Sequence, residues 1–336
     1  MTDTEKIAPR KELDKNLLWK GLYVAALIIV CGGMYWATTQ TNYIWRWNRI
    51  PQYFYYVDTV KVSAEIEGEV TSITKKGDDT VVIVKGDGDS EFYTIPGSDV
   101  LVSEGDSLYM GDAIGEYQLG KMGMLMKGLL ITIEVSFVAI ILGILLGLFT
   151  GLARVSQNPF LKWSAITYIE LIRGTPLLVQ IIMWYFVLGT IINNLLALAG
   201  LPQVPSLWFG VMSLAIFAGA YVAEIVRAGI QSIHRGQMEA ARSLGMTKSK
   251  AMVKIILPQA FKRILPPLAG QFISLIKDSS LLGVIAIPEL TKATREAVTT
   301  SLMPYELWFV CAIMYLVITF TLSMFVQYLE RRTAEA

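Results

Sequence analysis

The sequence predicts an all-α polytopic membrane protein of about six transmembrane helices, with a small all-β insertion after the first of them. Three observations carry this. Of 336 residues, 54% are hydrophobic and only 17% charged, and mean hydropathy is +0.49, a composition suited to helices that face lipid. Six apolar runs, 21–37, 123–152, 181–196, 207–230, 264–287 and 307–328, are close to the length a helix needs to cross hydrocarbon. Between the first two runs lies a stretch rich in β-branched residues and turn signals.

Composition also excludes several chemistries. A net charge of +1, with no basic stripe interleaved with aromatics, gives no reason to expect nucleic acid as a partner. Cys31 and Cys311 both lie in apolar runs, so neither a disulfide framework nor a metal site is expected. His234 is the one histidine. No G-x-x-x-x-G-K-[ST] occurs, so the chain is not expected to hydrolyse ATP or to bind a cofactor of its own.

Residues 1–20 form a polar tail of mixed charge (Lys6, Arg10, Lys11, Glu12, Asp14, Lys15) ahead of the first span, 21–40. A signal peptide is the competing reading. The long charged leader and the lack of a clear A-x-A site favour an uncleaved anchor with a cytoplasmic N-terminus. Tyr43, Trp45, Trp47, Tyr53, Phe54, Tyr55 and Tyr56 follow, amphipathic rings that prefer the headgroup region. They read as a belt on the outer face.

Residues 57–117 are expected to form the β unit, placing 41–122 outside. Strands are predicted near 69–74 and 80–85, with turns at Lys76-Gly77-Asp78 and Asp87-Gly88. The closing run VSEGDSLYMGDAIGEY resembles the barrel-sandwich modules related to biotinyl and lipoyl carriers. No modifiable Met-Lys or Asp-Lys stands at the expected hairpin tip, so a non-carrier domain is expected. Asp87, Asp89 and Glu91 suggest calcium, but an EF-hand would need Gly at Phe92 and Glu at Ser98. A solvated hairpin turn is the better reading.

In the second span, Gly143, Gly147 and Gly151 make a G-x-x-x-G-x-x-x-G face for close helix packing. Glu134 interrupts this span, and two readings stand: an outer vestibule or a site role. Arg154, Lys162 and Arg173 cluster on what reads as a short cytoplasmic loop. Gly174 and Pro176 should then break the chain and free backbone groups, with Thr175 and Gln180 offering side-chain hydrogen bonds. The loop up to Pro205 has no Lys or Arg, as suits the outside. In the fourth span Glu224 and Arg227 are i, i+3 neighbours that can pair at a helix end.

Glu239 to Pro258, EAARSLGMTKSKAMVKIILP, is a polar loop between apolar segments. Residues 237–244 should be helical, Gly245 should supply a left-handed cap, and a second short helix over 249–257 should stop at Pro258. Ala240 and Ala241 are small enough for another protein to approach closely, and Arg242, Lys248, Lys250 and Lys254 make the loop cationic. The plain alternative is an Ala-rich connector.

Lys262 and Arg263 hold the cytoplasmic end of the fifth span, which carries Lys277, Asp278, Ser279 and Ser280. So many polar groups at membrane depth must face water, a partner or one another. Lys277 and Asp278 point about a hundred degrees apart, so they pair poorly. A bundle-internal lock or gate is the alternative to a pathway. After 288–304, read as outside, the sixth span leads to Glu330-Arg331-Arg332 and a cytoplasmic tail, 331–336.

The loop pattern E-A-A-x3-G-x9-I-x-L-P, filled by Glu239, Ala240, Ala241, Gly245, Ile255, Leu257 and Pro258, resembles the EAA loop of bacterial ABC-importer permeases. ELIRGTPLLVQ (170–180), FAGAYVAEIVRAG (217–229) and SLIKDSSL (274–281) are similar to the polar amino-acid branch of that family. The resemblance covers about two thirds of the chain and implies an importer transmembrane domain, 123–330, with five spans in its core and an EAA loop, 234–263. It also implies a bacterial inner-membrane location, a second permease subunit (the same chain or a homologue), two ABC ATPase subunits holding ATP-Mg, and an extracytoplasmic amino-acid-binding protein. The EAA residues would couple to the ATPases. Asp278, Ser279 and Ser280, with Thr175 and Gln180, would line the substrate pathway, Asp278 accepting from a substrate ammonium and Thr175 or Gln180 donating to its carboxylate. Typical members lack the β insertion. The alternatives are a secondary transporter or channel, and a membrane-anchored assembly or sensor protein.

Overall fold

The computed structural model describes residues 15–41, 43–86, 88–97 and 99–334, with side chains left aside at 15–17 and 329–334. The N-terminal charges up to Asp14, the side chains of Lys15 and of Glu330-Arg331-Arg332, and Asp87 and Ser98 of the excluded calcium loop lie outside the described residues. The chain divides into two units, 1–47 and 48–336. Among the described residues, six helices are long and apolar enough to cross a membrane.

The first unit contains α1, Lys15–Gln40. Its apolar side chains are exposed all round, as on a helix whose surroundings are lipid. Beyond it, Trp45 stacks on Trp47 with centroids 5.6 Å apart, and Tyr43 meets Trp45 edge-on.

The second unit opens with the β insertion. β1 (Tyr55–Ser63) pairs antiparallel with β6 (Ala113–Met122), in register from Tyr55 opposite Met122 to Val62 opposite Gly115, with a shift before Ser63 opposite Ala113. β2 (Gly68–Lys76), β3 (Asp79–Lys85), β4 (Ser90–Pro96) and β5 (Ser107–Leu108) form a second sheet in the order β4-β3-β2-β5. Alternation along β3 turns Thr80, Val82 and Val84 inward. With Val70, Tyr93, Ile95, Leu108 and Ile114, the two valines make one small core. The strand ends Tyr55 and Met122 are partners, so the whole insertion leaves and rejoins the chain at one place.

α2 (Met124–Arg154) and α6 (Ser206–Gln231) form the spine of the helical part. A Cβ placed at Gly143 would lie 2.9 Å from the Ala218 Cβ, at Gly147 2.5 Å from the Val222 Cβ, and at Gly151 2.8 Å from the Ala223 carbonyl oxygen. The glycine stripe is thus where the α6 backbone comes closest to α2.

α3 (Pro159–Arg173) follows α2 after a tight corner. The residues read from sequence as a short cytoplasmic loop are therefore mostly helix. Asn158 accepts from the Phe160 N–H at 2.9 Å, and Pro159 stands in the first turn, where a missing N–H costs nothing. α4 (Leu177–Ile182), a π-helical stretch at Met183–Gly189 and α5 (Thr190–Leu198) together make one span.

Beyond α6 come α7 (Arg235–Ser243), α8 (Lys248–Ala251), a π-helical turn Met252–Ile256 and α9 (Leu257–Asp278). The expected stop at Pro258 is corrected: the chain stays helical from Lys248 through Pro258 into the fifth span, Lys248–Ile285. Pro258 sits in the first turn of α9, where no N–H is required of it. A 3-10 stretch, Ser279–Ile285, ends at Ala286 in the left-handed conformation. α10 (Leu290–Ser301) and α11 (Pro304–Ala334) complete the chain.

The main core joins α2, α4, α6, α9 and the 3-10 stretch through Val135, Ile140, Ile181, Leu214, Leu275 and Leu282. A second cluster, Val226, Ile230, Ile233, Ile256 and Ala260, ties the polar loop to α6.

Candidate functional site

The polar loop is a knob with defined ends. His234 caps α7, its Nδ1 accepting from the Gly236 N–H at 3.1 Å. At the other end the Met246 N–H donates to the Ala241 carbonyl at 3.1 Å and the Gly245 N–H to the Arg242 carbonyl at 3.0 Å. This is a Schellman cap, with Gly245 at φ +80° supplying the left-handed residue. Thr247 then caps α8 through the Lys250 N–H.

Glu239 and Ala240 face outward, as do Leu244, 84% exposed, and Val253. Ala241 is 4% exposed and faces inward, so the surface expected from two alanines is presented by Ala240 alone. Ile255 and Leu257 are half-buried against the second cluster and anchor the knob. Pro258 is exposed at the start of α9. Arg263 donates to the Ser232 carbonyl at 2.6 Å, tying α9 to the end of α6.

Above the knob lies an ion network. Glu224 accepts from Arg227 Nε at 3.0 Å and Nη2 at 2.8 Å, the i, i+3 pairing the sequence suggests. Its other oxygen accepts from Arg154, an ion pair across the α2–α6 contact. Arg154 also approaches Glu170 of α3 at 3.9 Å, and Arg173 lies over the Tyr221 ring. Arg173, Glu224, Arg227, Ser232, Arg263 and Pro267 line a recess of about 500 Å³.

The break between α3 and α4 falls at Gly174 to Pro176. Gln180 is buried there, and its Nε2 donates to the Ile172 carbonyl at 2.7 Å, with Thr175 Oγ1 and the Thr175 carbonyl also within reach. Thr175 Oγ1 donates to the Leu171 carbonyl. The donors expected to serve a solute are engaged by the chain itself, satisfying carbonyls that the break releases. Gln180 Oε1 is left buried without a partner.

In the fifth span, Ser279 is buried and donates to the Ile276 carbonyl at 2.7 Å, so its hydroxyl turns into its own helix. Asp278 is half-buried, whereas Ser280 lines a recess on the other side of the turn. The three residues do not converge on one point. Glu134 is exposed on α2.

The sequence reading missed Glu289. It is fully buried and caps α10, accepting from the Thr291 and Lys292 N–H groups at 2.7 Å each and from the Tyr315 hydroxyl at 3.1 Å. Burial pushes its carboxyl above the ordinary range, and those backbone donors offset the rise only in part. An acidic residue directly before a polar helical run was the available signal.

The helical part is thus a set of apolar helices with a capped polar knob between α6 and α9. The chain belongs to the family of binding-protein-dependent transport system inner membrane components, whose model matches residues 143–335. It is 40% identical over 209 residues to the probable glutamine ABC transporter permease protein GlnM of Bacillus subtilis (strain 168), covering 62% of this chain and 93% of that protein. It is 38% identical to the L-cystine transport system permease protein TcyB of the same organism, covering 62% and 86%. A solved structure described as an amino acid ABC transporter with histidines matches with a TM-score of 0.55 and 42% identity, over 62% of this chain and 94% of that one. The protein is thus a multi-pass inner-membrane transport component.

Proposed function

We propose that this chain is the membrane-spanning subunit of an ATP-driven importer of polar amino acids. The knob formed by α7, Gly245 and α8 carries the reading. It is stiff, it offers Glu239, Ala240 and an exposed Leu244 among cations, and it continues without a break into α9. A force applied to it is transmitted as a rigid movement of the fifth span. Two ATPase subunits holding ATP-Mg supply that force from the cytoplasm, and an extracytoplasmic binding protein supplies the amino acid. The relatives' names, glutamine and cystine permeases, support an amino-acid substrate. A second permease subunit, identical or homologous, completes the pathway. Both termini are inside, and residues 41–122 are outside.

The test is a pull-down of the detergent-solubilised chain from its native membranes, with an ATPase assay on what accompanies it. The reading predicts a co-purifying ATPase. Gly245→Asp should release it, because it puts a charged side chain at the corner of the knob, where the left-handed residue of the Schellman cap stands at φ +80°. Glu239→Lys should release it without disturbing the fold. A chain that purifies alone from membranes sinks the reading.

The β insertion serves docking of the binding protein or bridges two permease copies. Because Tyr55 and Met122 are strand partners, the insertion can be excised and its ends joined by a short turn. Excision is expected to lower binding-protein-stimulated ATPase activity and to spare basal activity. Equal loss of both would assign the insertion a folding role.

A further inference from the structure

Three helix ends meet beside the knob. Arg173 closes α3, Arg227 lies just inside the end of α6, and Arg263 stands near the start of α9. With Ser232, and with Ile225 and Pro267 as apolar wall, they line the recess of about 500 Å³.

The positive charge of this recess is not balanced. Glu224 is taken by Arg227 and Arg154, and Glu170 approaches Arg154. Arg173 lies over the Tyr221 ring, 5.2 Å from its centroid, and Arg263 donates to the Ser232 carbonyl. Both are exposed, and among the described residues neither makes an ion pair. These two guanidinium groups are what remain to serve an anion. A guanidinium holds a phosphate through its planar fork of N–H donors. α6 and α9 belong to apolar spans, so the recess stands where spans meet the headgroup region. Basic recesses between spans at that depth take phospholipid headgroups. Ile225 and Pro267 offer hydrocarbon contact, which suits a phosphate carrying acyl chains and adds nothing for a free one.

We propose that the recess holds the phosphate of an anionic phospholipid from the leaflet next to the knob, with Arg173 and Arg263 as its ligands. A lipid held there ties α3 to α9. The inference needs only the spans and the recess, and it stands apart from the importer reading. Each arginine is worth about five-fold in affinity at a membrane surface.

The test uses the full chain, extracted from membranes and delipidated in neutral detergent. It is titrated with phosphatidylglycerol, with phosphatidylcholine of the same acyl chains, and with inorganic phosphate. Native mass spectrometry counts bound lipid, and the thermal midpoint is read in parallel. The wild type should bind phosphatidylglycerol about thirty-fold more tightly than phosphatidylcholine, and its midpoint should rise. Arg173→Gln should lose about five-fold of that affinity, and Arg173→Gln with Arg263→Gln about thirty-fold, with phosphatidylcholine binding unchanged. Arg263 ties α9 to α6, so the double variant is checked for a single elution peak. Arg173 has only its ring contact among the described residues, so Arg173→Gln alone decides the site if the double variant does not fold. Lys162→Gln with Lys248→Gln removes two exposed cations outside the recess and should leave the affinity unchanged. Equal affinity for the two lipids, wild-type affinity in Arg173→Gln, or an equal loss in the Lys162 and Lys248 variant would overturn the proposal. Displacement of phosphatidylglycerol by an equimolar amount of inorganic phosphate would make this a free-phosphate site and overturn it too. Loss of a co-eluting ATPase in Arg173→Gln, with lipid affinity unchanged, would give the recess to a protein partner instead.

Discussion

Glu224→Ala is expected to lower stability, by less than the ~3–5 kcal/mol that removing one partner of a fully buried pair costs, because this cluster is only part-buried. The Glu224 and Arg154 side chains are 16% and 18% exposed, and Arg227 shares the same carboxylate. Without Glu224 two guanidinium groups are left at the α2–α6 contact, with Glu170, 3.9 Å from Arg154, as the remaining nearby anion. Thermal unfolding in detergent should show a much lower midpoint than for the wild type. Adding Arg154→Leu should recover part of the loss, since that change removes one of the stranded charges. A Glu224→Ala protein as stable as the wild type would mean that the network is solvated, and that the α2–α6 contact rests on packing alone.

Gly147→Leu is expected to prevent accumulation of folded protein, because even a Cβ at this position lies 2.5 Å from the Val222 Cβ and 2.7 Å from the Gly219 carbonyl oxygen. Gly147→Ala is the graded version, with an expected loss of about 1–3 kcal/mol from overpacking. Gly21 of α1 meets nothing within 4 Å, so Gly21→Ala serves as the control and should be neutral. Fluorescence-detected size-exclusion of membranes expressing the three variants gives the ranking. A normal monodisperse peak for Gly147→Leu would contradict the close approach of the two helices.

Hydropathy made the six spans legible because apolar length is a local property that sums along the chain. The Gly143–Gly147–Gly151 stripe was legible for the same reason, although its partner, α6, was not. What escaped is non-local or short. Arg154 and Glu224 are seventy residues apart, and nothing in either neighbourhood names the other. α3 and α10 carry too much polar surface to register as spans, so their residues read as loops. Pro258 misled because a proline that stops one helix and a proline that opens the next look alike in sequence. The engagement of Gln180 with the broken backbone, and of Ser279 with its own helix, depends on which way each side chain turns. Sequence spacing gives that only where the helix is regular, and both residues lie beside an irregular turn.

ATP-dependent uptake tests the central claim most directly. The chain, its co-purifying ATPase and binding protein are reconstituted in vesicles with ATP on the ATPase side and labelled amino acid on the other. Accumulation should require ATP and binding protein together and vanish in Glu239→Lys, which no longer holds the ATPase. Uptake by the chain alone, unchanged by ATP and by Glu239→Lys, would make it a channel or secondary transporter and contradict the account.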